Sequence, residues 1–81
     1  MKKSEMRQIV LVEMSKNATN RTFEIEDIYQ ASSYKASGIT FEFVAETIEK
    51  VLAFQAQGQQ QFDNRLESVR INGATAYKFV K

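Results

Sequence analysis

The chain has 81 residues, 43% hydrophobic and 26% charged, with Lys+Arg 11 against Asp+Glu 10, so one ordinary domain with a modest core is expected. Cys, His and Pro are all absent. That excludes a disulfide framework, thiolate metal sites and a histidine general base, and nothing forces a helix to break.

Taken in chain order, Met1-Lys2-Lys3-Ser4 is basic but is followed by no apolar run long enough for a secretory or membrane segment. The expectation is a cytoplasmic protein with no membrane partner. Ser4 is an N-cap candidate, with Glu5 in the positive first turn. Met6, Ile9, Val10, Glu13 and Met14 then follow helical spacing. Asn17-Ala18-Thr19-Asn20 should end that helix. Thr22-Phe23-Glu24-Ile25 is β-branched and aromatic and reads as a brief strand. Glu26 to Ala31 reads as a short helix whose acids sit at its start. Ile25, Ile28 and Tyr29 share one face there and should enter the core.

Ser32 to Gly38 is a small-residue loop. Thr40 is the next N-cap candidate, and the helix from Phe41 to about Ala56 carries Val44, Ile48, Val51 and Leu52 as its inner stripe. Gly58 should stop it, and Gln57 to Asn64 should be a polar loop. The last segment holds the strongest local signal. Asn72-Gly73 between two alternating runs predicts a two-residue type I′ hairpin, because both turn positions need positive φ. The turn sets the register: Ile71 opposite Ala74, Val69 opposite Ala76, Glu67 opposite Lys78 and Arg65 opposite Val80. On the other face Arg70 stands opposite Thr75, Ser68 opposite Tyr77 and Leu66 opposite Phe79.

The order helix, short strand, helix, loop, helix, strand, strand resembles the winged helix-turn-helix family over nearly the whole chain. Phe23-Glu24-Ile25-Glu26-Asp27-Ile28-Tyr29 would supply the strand and second helix. Ile39 through Leu52 would hold the third helix, and the Asn72-Gly73 hairpin would be the wing. The expected fold is therefore α+β, a single winged-helix domain over residues 1–81. The resemblance implies that the third helix enters the major groove of duplex DNA and that the wing touches the backbone or minor groove. It implies a small transcription or mobile-element regulator.

On that basis the DNA-contact candidates are Ser33, Tyr34, Lys35, Thr47, Lys50, Arg70 and Lys78. The residues off the inner stripe, Glu42, Phe43, Glu46, Thr47, Glu49 and Lys50, hold three acids and one base. That balance opposes phosphate attraction. The alternative is a winged-helix module that binds protein, through Glu42, Phe43, Glu46, Glu49 and Phe54, either another protein or a second copy. Phe43, Thr47, Lys50 and Phe54 form a second helical stripe, which marks either a wider core or a partner surface. No Gly-rich phosphate loop, metal-loop spacing or nucleophile–base set is present. Neither catalysis, a cofactor nor a small-molecule ligand is therefore expected.

Overall fold

The C-terminal hairpin follows from its turn. In the computed structural model, which describes residues 1–81, Asn72 has φ 52° and Gly73 φ 81°, as a type I′ turn requires. Strands β1 (Arg65–Ile71) and β2 (Ala74–Val80) pair antiparallel. Their register runs from Ile71 opposite Ala74 to Arg65 opposite Val80. Every pairing expected from the sequence is present.

Three helices precede the hairpin: α1 (Lys3–Ser15), α2 (Ile25–Ser32) and α3 (Phe41–Ala56). The chain is thus α+β, three helices and a two-stranded antiparallel sheet. The N-cap of α1 is Lys2 rather than Ser4. The Lys2 carbonyl already accepts the amides of Glu5 and Met6, each at 3.1 Å, so the first turn closes early and Ser4 lies inside it. Asn17 closes α1 by donating Nδ2 to the carbonyls of Glu13 (3.3 Å) and Met14 (3.0 Å), adding to the backbone amides of Lys16 and Asn17 that they already accept.

The expected strand at Thr22–Ile25 shrinks to one residue. Phe23 exchanges two 2.8 Å backbone hydrogen bonds with Tyr77, and Ile25 already belongs to α2. The acids after Phe23 favour a helix start over a longer strand: Asp27 Oδ2 accepts the Glu24 amide at 2.8 Å. Asn20, at φ 68°, turns the chain so that its amide reaches the Phe79 carbonyl at 2.7 Å. Asn tolerates that left-handed conformation better than most residues. The outer edge of β2 is thereby covered.

The Thr40 hydroxyl accepts the Phe43 amide at 3.0 Å and starts α3 where expected. Val44, Ile48 and Val51 are buried, with Leu52 partly so. They meet Met6, Val10 and Met14 of α1, Ile28 of α2 and Leu66, Tyr77 and Phe79 of the hairpin in one cluster. Phe23 packs against Tyr77 and Phe79 at centroid distances of 6.1 and 5.9 Å. Ile25 and Tyr29 are only partly buried. A single buried face of an eight-residue helix suffices to seat α2.

The Gln55 side chain joins α3 to the hairpin. Its Oε1 accepts the Leu66 amide at 2.8 Å, and its Nε2 donates to the Leu66 carbonyl at 2.7 Å. The amide acts as a one-residue strand neighbour on the free edge of β1, where unpaired backbone groups are a liability.

Candidate interaction surfaces

The outward stripe of α3 is Glu42, Glu46, Glu49, Ala53 and Ala56, all exposed. These positions are spaced by three and four residues, so they line one side of the helix. Three carboxylates occupy its N-terminal half. The base nearest to them, Lys50, is ion-paired with Glu46 at 3.2 Å.

Several candidate contact residues lie elsewhere than the sequence suggested. Thr47 is buried, and its hydroxyl donates to the Phe43 carbonyl at 2.9 Å, which satisfies the group inside the core and removes it from any DNA-facing surface. Phe43 is partly buried and packs on the core, so it is not a free anchor for a partner. The second stripe is therefore divided. Phe43 and Thr47 widen the core, while Lys50 and Phe54 face a cleft. Leu11 and Val12 of α1 supply its opposite wall.

Lys35 is likewise committed. Its ammonium hydrogen-bonds the Glu13 carboxylate of α1, which also receives Lys16 at 2.9 Å. Glu13 is 8% exposed. The hydrogen bond from Lys35 holds the Glu13 carboxyl below its ordinary range despite the opposing effect of burial, with Lys16 adding to the same direction. The same contact raises the Lys35 ammonium. Lys35 also lies 5.8 Å from the ring centroid of Tyr34, which is 78% exposed. Ser33 is the C-cap of α2, with its amide on the Tyr29 carbonyl at 2.8 Å.

Arg70 belongs to the hairpin tip, where residues 70–75 are all exposed. It makes no ion pair; those present are Lys16–Glu13, Lys35–Glu13 and Lys50–Glu46. Lys78 stands opposite Glu67 in the register, also without an ion pair. Lys35 is thus held on α1, while Arg70 and Lys78 stand on the hairpin. Burial pushes the Tyr77 hydroxyl up, and the nearby Glu49 carboxylate adds to that.

The largest opening is a cleft of about 730 Å³ between α1 and α3. Leu11, Val12, Phe54 and Phe62 form its apolar walls, and Arg7 and Lys50 stand in it as the charged groups. Val12 is 43% exposed and Phe54 37%. The Nε of Arg7 is buried without a hydrogen-bond partner. Arg7, Leu11, Val12 and Phe62 were not foreseen as surface residues. The signal was present in the run Ile9-Val10-Leu11-Val12, which is too apolar for a helix with one buried face.

No group of His, Cys, Asp or Glu residues is placed to hold a metal ion. No helix is long and apolar enough to cross a membrane. Comparison with family models, with curated proteins and with solved structures finds no match.

Proposed function

We propose that this chain is a non-enzymatic, winged-helix-like module that binds another protein through the side of α1 and α3. The element order supports the winged-helix reading, as does the Phe23–Tyr77 pairing, which adds a third strand position beside β2. One observation carries the functional reading. The exposed stripe of α3 offers Glu42, Glu46 and Glu49 and no unpaired base, while the cleft beside it exposes Val12 and Phe54. A duplex is repelled by the first surface. An apolar partner is favoured by the second.

The test is a paired measurement. Titration onto a labelled duplex at low salt is expected to give no saturable binding. Affinity capture by the parent chain is expected to recover a partner that Val12→Lys loses while still melting cooperatively. Saturable duplex binding that weakens steeply with salt, together with capture that Val12→Lys leaves intact, would overturn the reading.

A second reading keeps DNA as the partner and the chain as a small transcription or mobile-element regulator. It is favoured by Arg70, unpaired in a projecting tip. In that reading the hairpin makes the contact, and α3 stays out of the groove.

A further inference from the structure

We propose that the α1–α3 cleft receives an acidic amphipathic helix of another protein, with apolar anchors seated between the helices and carboxylates placed on Arg7 and Lys50. The inference rests on the protein-binding reading above and adds the chemistry of the partner.

The cleft has no acid in its lining; its only charged groups are Arg7 and Lys50. Arg7 is half-buried at the cleft and pairs with no carboxylate. A carboxylate is the group that best matches the planar fork of an unpaired guanidinium. Lys50 is held by Glu46 in a pair open to solvent, with side chains 44% and 65% exposed. Such a pair contributes little, so an incoming carboxylate can share or replace it.

Shape narrows the class further. The cleft follows α1 from Arg7 to Ser15, roughly 12 Å along the helix axis, or about two turns of a docked helix. It is open along its length, so a small molecule would remain largely exposed rather than enclosed. An amphipathic helix with anchors spaced by three and four residues fills such a groove by burying one face. Of the chain's own helices, α2 and the outward stripe of α3 do not fit that description. The exposed stripe of α3 carries acids but only alanines beside them, and the exposed residues of α2 include Glu26, Asp27 and Gln30 without an apolar anchor.

The probes are two labelled peptides of about 16 residues, long enough to form a helix. One has leucine anchors at helical spacing flanked by glutamates; its twin has lysines in their place. The acidic peptide is expected to bind the full chain saturably, with the lysine twin at least about tenfold weaker. Arg7→Glu with Lys50→Glu should reverse that preference. Arg7→Gln with Lys50→Gln should erase it, and serves as the control if the double reversal melts early. Equal binding of both peptides, or no binding of either, overturns the proposal. A dimer dispersed by Val12→Lys would place a second copy in the cleft, ending this proposal while leaving the protein-binding reading in place. Duplex binding that the Arg7 and Lys50 variants abolish would end both.

Discussion

Glu13 ties α1 to the segment after α2 through Lys35. It is nearly buried, yet it stays charged because Lys35 and Lys16 both reach it. Its carboxyl titrates lower in the folded chain than the ordinary 4.5 of the unfolded one. Between those two values the unfolded state binds more protons, so stability falls as pH falls. The contribution is fully present above about pH 4.5 and is lost as pH drops through the lower folded value. Thermal melts between neutral pH and pH 3 should therefore show a decline that Glu13→Gln removes in part, with the variant already less stable at pH 7. A variant with an unchanged acid limb would show that the ion pair contributes nothing to folding. Gly73 is the other decisive single position. A Cβ there would meet no atom within 4 Å, so the obstacle to substitution is the backbone alone, at φ 81°. Gly73→Val should cost roughly 1 kcal/mol or more, read as a lowered melting midpoint.

Among the elements, the hairpin and α3 were legible because their signals are local. Asn72-Gly73 demands a turn type and so a register, and Thr40 demands a helix start; both act within a few residues. The bounds of α3 and every pairing in the hairpin matched the structure. The brief strand at Phe23 was less legible because its pairing partner, Tyr77, lies more than fifty residues away. Gln55 was invisible for the same reason: nothing in its neighbourhood marks it as the cap of a strand edge. Its two hydrogen bonds to Leu66 nonetheless tie α3 to β1. Gln55→Ala would leave a backbone donor and acceptor of a buried residue without protein partners. A loss of about 1–3 kcal/mol is expected by chemical denaturation, with faster amide exchange at Leu66 as the local signature. An unchanged midpoint would mean that water replaces the side chain fully.

For the whole molecule, the question is how charge is distributed over a surface whose net charge is only +1. The candidate contact residues were harder to read from sequence than the fold, because a base counts toward a binding face only if no acid holds it. Lys35 and Lys50 look free in the sequence, yet Glu13 and Glu46 take them up, and Thr47 turns inward. Of the candidates, what remains is an acidic stripe on α3 and two unpaired bases on the hairpin, Arg70 at its tip and Lys78. This arrangement separates the two proposed functions in one experiment. Glu46→Gln with Glu49→Gln removes two like charges from the face a duplex would meet in a winged helix that reads DNA with α3. If DNA docks there, affinity at low salt should rise in the double variant. If α3 faces a protein, duplex binding should stay undetectable. If only the hairpin touches DNA, the glutamine variant should change little, while Arg70→Ala should flatten the salt dependence by about one phosphate contact. The proposed protein-binding module predicts the second outcome. Anisotropy titrations of the parent and both variants against one duplex, over a range of salt, distinguish all three, and tighter binding by the glutamine variant would overturn the assignment of α3 to a protein partner.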